Sequence, residues 1–245
     1  MLTAVMLATV LFGQNVKQSA HAVPARVIHW SGEDWTVKRS ESRVGPGPNI
    51  FSDSTENVFI DELGRLHLKI TQRNGKWQCA EVVSKLSFGY GTYRFDVASG
   101  PAIDPRAVWG LFTWNNSDAA YAHREIDIEI SRWMDPYNKN TQFVVQPYQH
   151  AGNMHRFDTP TELNQSTHIF TWMPDSIRFQ SAKSNVDPLK IGEPIQAWSY
   201  TGKDLPKPGG ETNVRINLWL FGGNAPIEGK EVEVIAKRFV FSGER

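Results

Sequence analysis

The sequence predicts an all-β fold, a sandwich or barrel, on three observations. Short segments that alternate apolar and polar residues recur along the chain. Gly, Pro and Asn turn residues separate them, and no stretch after residue 22 carries the apolar spacing of an amphipathic helix of useful length. Many short strands with such turns and no helices fit a sandwich or barrel better than a layered α/β fold. The 245 residues are a length that one all-β domain can fill, and 40% apolar residues supply its core.

The first thirteen residues are an apolar run of signal-peptide length, too short to span a bilayer. Ala20-His21-Ala22 then gives small residues in a cleavage pattern. The expectation is a signal peptide over 1–22, a mature domain over 23–245, and a secreted protein, extracellular or periplasmic. Gly45-Pro46-Gly47-Pro48-Asn49 reads as a rigid loop within one domain. Leu66 to Ile70 alternates, Asn74-Gly75 is a type I′ hairpin signal, and Lys76 to Val82 is the return strand. Alternation recurs over Thr92–Val97, Arg124–Ile130, Gln142–Gln146, His168–Trp172, Ile177–Phe179, Val214–Phe221 and Val232–Ile235. A long loop is expected over Gly202–Gly210.

Composition narrows the function classes. Charged residues make up 21% with a formal net charge of zero, which gives no reason to expect nucleic acid or an anionic membrane as partner. The single cysteine, Cys79, has no partner for an internal disulfide. The seven His are scattered and no Cys/His cluster has zinc-ligand spacing, so no catalytic transition metal is implied and no cofactor is expected. Nine Trp is high for one domain, and flat rings are what stacks on the apolar face of a pyranose.

The chemistry concentrates in Glu125-Ile126-Asp127-Ile128-Glu129. In a strand the three acids point to one face and Ile126, Ile128 and Ile130 to the other. Three adjacent carboxylates repel one another, which a sequence keeps only for a reason. The two Glu Cα atoms lie about 13 Å apart at the usual strand rise. Side chains leaning together approach the about 5–5.5 Å carboxyl separation that suits a retaining glycosidase. A plain acidic surface strand is the alternative, but solvated faces usually mix charge signs. Elsewhere Asn217 and Trp219 share a face, as do Gln142 and Gln146, and as do Phe112 and Trp114. Amides beside aromatics suit a polysaccharide cleft.

These residues resemble glycoside hydrolase family 16, the laminarinase and lichenase group. Glu125 to Glu129 matches its E-x-D-x-E signature in the form without a β-bulge. The segments Lys76–Glu81, Phe88–Tyr93, Phe112–Trp114, Thr171–Ile177 and Asn217–Trp219 look like family segments in the family order. The resemblance implies a concanavalin A-like jelly roll, a β-sandwich of two antiparallel sheets, with Glu125 as nucleophile, Asp127 as its helper and Glu129 as acid/base. It implies that Asn49, Glu81, Trp114, Gln142, Gln146, Asn217 and Trp219 line the sugar subsites. The expected protein is a monomeric, retaining, endo-acting hydrolase of β-1,3 or β-1,4 linkages in a glucan-type polysaccharide. A transglycosylase on the same trio and a non-catalytic lectin-like domain are the alternatives. Some family members hold a structural calcium. Lichenases carry Trp-Asp where this chain has His123-Arg124, an Arg where it has Val83, and an Asn where it has Val144. Cys79 sits at one half of the lichenase disulfide, whose partner position is Asp53.

Overall fold

The computed structural model describes residues 24–184, 187 and 190–243; the signal-peptide expectation over 1–22 lies outside them. The described residues form sixteen strands. The first eight are β1 (Val27–Trp30), β2 (Glu33–Val37), β3 (Ile50–Phe51), β4 (Val58–Ile60), β5 (Leu66–Arg73), β6 (Lys76–Ser87), β7 (Gly91–Val97) and β8 (Ala107–Asn115). The rest are β9 (Ile126–Ile130), β10 (Thr141–Val145), β11 (Met154–Phe157), β12 (Ser166–Trp172), β13 (Ile177–Lys183), β14 (Pro194–Tyr200), β15 (Thr212–Leu220) and β16 (Val232–Gly243).

Hydrogen-bonded neighbours define two sheets. One runs β1-β2-β6-β15-β8-β9-β10-β11 and the other β4-β5-β16-β7-β12-β13-β14, all antiparallel. The β5–β6 hairpin joins them through Thr71↔Gln78 to Arg73↔Lys76. Its turn is Asn74-Gly75 with both φ positive (50° and 73°), as a type I′ turn requires. The short β3 adds to β6 in parallel.

Alternation decides what lies between the sheets. Ile126, Ile128 and Ile130 of β9, Val214, Ile216, Leu218 and Leu220 of β15, and Trp109 and Leu111 of β8 all enter one buried cluster. Tyr93, Phe95, Phe170, Trp172 and Phe179 meet them from the second sheet. Each fully buried large side chain contributes about 1.5–3 kcal/mol. His168 sits between Ser166 Oγ (2.9 Å) and Ser181 Oγ (2.8 Å), and burial lowers its pKa to about 4, so it stays a neutral strand residue. Cys79 is fully buried and free, its thiol pushed up to about 12 by burial.

The expected strand from Arg124 starts later than its alternation suggests. Tyr121 to Arg124 are all left-handed (φ 49° to 61°), so the Ala120–Arg124 turn is not a right-handed helix and β9 begins at Ile126. Left-handed L-residues cost about 1–2 kcal/mol each. Anchors offset this. Arg124 Nε donates to Lys207 O (2.8 Å), its guanidinium pairs with Asp118 (2.7 Å), and His123 Nδ1 donates to Asn115 O (2.8 Å). Arg124 thereby ties the turn to the long loop before β15, and its guanidinium is engaged there.

Candidate active site

The face of the first sheet turned away from the core carries a cleft of about 940 Å³. Register places its floor in rows across the strands. One row reads Glu81, Asn217, Gly110, Glu129, Gln142, Arg156, from β6 to β11. The next reads Val83, Arg215, Phe112, Asp127, Val144, Met154. Glu125, one residue before β9, is extended (φ −81°, ψ 120°), so it keeps the alternation and joins the other two acids in the cleft. Gly110 is useful in the first row. A Cβ there would sit 2.6 Å from Asn217 Oδ1, which accepts from Gly110 N (3.2 Å).

The acids are held by distinct partners. Gln142 Nε2 donates to Glu129 Oε2 (2.7 Å), and Arg156 Nε donates to Gln142 Oε1 (2.7 Å). That second bond fixes which end of the Gln142 amide faces Glu129. Gln146 Nε2 donates to Asp127 Oδ2 (3.2 Å). Burial raises the pKa of all three acids, and for Glu125 and Asp127 the neighbouring carboxylates add to the rise. A hydrogen bond between the Asp127 and Glu125 carboxyl groups requires that one of the two holds a proton. The charge of Arg215 pulls Glu125 back toward the ionised form, and that of Arg156 does so for Glu129.

Glu81, Arg215 and Trp114, with the residues that hold them, shape one wall. Glu81 has no exposed side-chain surface and lies between Lys38 Nζ (2.8 Å) and Arg215 (3.0 Å). Arg215 donates a second bond to Asn116 Oδ1 (2.9 Å), and its guanidinium carbon is 5.8 Å from the Trp114 ring centre. His123 lies flat on Trp114, with centroids 4.2 Å apart and planes 8° apart. Among the described residues, no group of three or more His, Cys, Asp and Glu has the arrangement of a metal site, and no helix is long and apolar enough to cross a membrane.

The structure brings most of the expected site residues together. Glu81, Trp114, Glu125, Asp127, Glu129, Asn217 and Trp219 line the cleft. Gln142 and Gln146 sit behind it as hydrogen-bond donors to the acids. Asn49 does not line it: its amide donates to Pro46 O and Leu220 O (both 2.9 Å), and its oxygen accepts from Cys79 Sγ (3.4 Å). It clamps the Gly45–Asn49 loop to the end of β15. Lys38, Gly110, Arg156 and Arg215 were not anticipated. For Arg215 the signal was present, because it shares the face of Asn217 and Trp219 by alternation. For Arg156 it was absent, since β11 is four residues long and its alternation is brief.

The raised acids make a stability prediction. Between the ordinary carboxylate range and the raised values, the folded protein holds protons that the unfolded chain has released. Stability therefore falls as pH rises through that window. Asp127→Asn removes Asp127's part and keeps both hydrogen bonds. Its Tm is expected to exceed the parent's by about 4 °C at pH 7, or about 1–2 kcal/mol, with the gap closing toward pH 4. Calorimetry across pH checks this, and a gap constant with pH contradicts it.

No family model matches the chain. Over 163 residues it is 28% identical to a β-glucanase of Paenibacillus polymyxa, covering 60% of this chain and 64% of that protein. Over 140 residues it is 31% identical to an endo-1,3-1,4-β-glycanase of Rhizobium meliloti, covering 53% and 47%. The chain spans less than two thirds of the length of either relative. The crystal structure of a Bacillus licheniformis β-glucanase superposes with a TM-score of 0.63 at 19% identity, over 86% of this chain and 92% of that one. This last likeness is one of fold, and it identifies the two-sheet sandwich as the jelly roll that the sequence led us to expect.

Proposed function

We propose that this glycoside hydrolase family 16-like chain is a retaining, endo-acting hydrolase of β-1,3 or β-1,4 linkages in a glucan-type polysaccharide. The observation that carries the reading is the row of three carboxyl groups on the floor of an open cleft, Asp127 buried and Glu125 and Glu129 partly exposed beside it. The names of the two curated relatives support the substrate class.

In this reading Glu125 attacks the anomeric carbon while Glu129 gives its proton to the departing glycosidic oxygen. The glycosidic C–O bond breaks and an ester to Glu125 forms. Glu129, now ionised, takes a proton from water as that water attacks the same carbon and releases Glu125. Asp127 donates to the Glu125 carboxylate and steadies it before attack and as it leaves. Gln142, held by Arg156, orients Glu129. The cleft's aromatic walls support an extended chain across the trio.

The test uses the purified protein on lichenan and laminarin, with agarose and carrageenan as contrasts. Proton NMR of the first products should show the β-anomer from a β-glucan, with oligosaccharides of several lengths appearing early. First appearance of the α-anomer would contradict retention. Binding without any product would instead favour the lectin-like reading.

A further inference from the structure

On the Glu129 side of the trio the aromatic wall does not stop at Trp219. The chain leaves β9 through Ser131 and Arg132 and turns at Trp133 and Met134, both left-handed (φ 53° and 69°), a region that L-residues rarely adopt. Trp133 N donates to Ser131 Oγ (3.0 Å) and Met134 N to Pro105 O (2.8 Å), which pins the turn. The turn sets the Trp133 ring 6.1 Å from Trp219 at 68° and 5.5 Å from Phe221 at 89°. Trp219 lines the cleft, so the three rings form one continuous surface with it.

That surface is open. Phe221 is 37% exposed and Met134 39%, while Trp133 and Trp219 are each half-buried. A connected group of apolar side chains left in solvent beside a cleft marks a place that something covers. A polar group stands over it. The Arg156 guanidinium carbon is 6.0 Å from the Trp133 ring centre. Its Nε is engaged by Gln142 and Met154, and its terminal nitrogens have no partner among the described residues. Rings that offer a flat apolar face, beside N–H donors without acceptors, match a pyranose, which has an apolar face and a rim of hydroxyls. A second protein would ask for a larger apolar area than three rings supply.

We propose that Trp133, Phe221 and Arg156 form a further glucosyl-binding site that extends the cleft past Trp219 on the Glu129 side. The ligand class rests on the hydrolase reading above. Arg156 then has two contacts, one to Gln142 behind Glu129 and one to the sugar, so occupancy of the outer site bears on the orientation of the acid.

The test measures binding by calorimetry in a Glu125→Gln background, with mixed-linkage β-glucan oligosaccharides from a trisaccharide to an octasaccharide. Trp133→Ala is expected to weaken the octasaccharide by about tenfold and leave the trisaccharide unchanged. Trp133→Phe should restore most of the loss, and Phe221→Ala should repeat part of it. Equal affinities for parent and Trp133→Ala at every length overturn the proposal, and so does a loss equal at every length. Hydrolysis by the unsubstituted protein is measured in parallel. Length-dependent binding without hydrolysis keeps this site and removes the hydrolase reading. Hydrolysis with no length-dependent loss in Trp133→Ala removes this site alone.

Discussion

Replacing the proposed nucleophile, Glu125→Ala, is expected to lower kcat on a mixed-linkage β-glucan by about ten-thousand-fold or more, because no carboxylate is then left to take up the anomeric carbon. The fold should tolerate the change, since Glu125 lies at the start of β9 facing the cleft and Ile126 rather than Glu125 is packed in the core. Removing one of three mutually repelling acids should raise Tm. Glu129→Ala should be as damaging on the polysaccharide, yet retain the first step on an aryl glycoside whose leaving group needs no proton. Azide separates the two roles. In Glu125→Ala it enters from the emptied side in a single displacement and gives an α-glycosyl azide. In Glu129→Ala it attacks the ester on Glu125 from the opposite face and gives a β-glycosyl azide. The reverse pairing of products would exchange the roles of the two acids. Unreduced activity in both variants would take the trio out of the chemistry.

The second large effect is on stability, at the wall beside the trio. Glu81→Gln is expected to cost about 3–5 kcal/mol, because it leaves a buried guanidinium without its counter-charge. The Glu81 side chain is fully buried and that of Arg215 is 9% exposed, so water can replace little of what is lost. For a domain of this size the Tm should fall by about 10 °C. Arg39→Ala provides the contrast. Its partner Glu41 and Arg39 itself are both well exposed, and such surface pairs contribute little. Glu81 also stands in register with Asn217, Gly110 and Glu129, so the same substitution should depress activity. Thermal and urea unfolding of both variants decide the matter. A Glu81→Gln midpoint within about 2 °C of the parent would mean that the Lys38–Glu81–Arg215 group is solvated rather than buried.

Much of this was legible beforehand, and the residues show why. The acids of β9 and the Ile triple opposite them could be separated because strand side chains alternate with period two, whatever the neighbours are. The hairpin at Asn74-Gly75 was visible because few residue pairs accept two positive φ values. The left-handed run at Tyr121–Arg124 was not visible. Nothing in Tyr-Ala-His-Arg favours that conformation, and it exists because Arg124 is anchored on Lys207 O and Asp118. The edge strand β11 escaped notice because four residues carry too little pattern, and Arg156 went with it.

Asn49 marks the division between the two levels most clearly. The family resemblance placed it in the cleft by matching position, while its hydrogen bonds assign it to a loop clamp. The sequence by itself determined the all-β class, the face that the three acids share, and the apolar face behind them, because each follows from local backbone geometry. Only the tertiary structure decided that Lys38 and Arg215 converge on Glu81, that Arg156 stands behind Gln142 and Glu129, and that Trp133 meets Trp219. Those contacts depend on which strands become neighbours, and in what register, and that is set by packing the whole core at once.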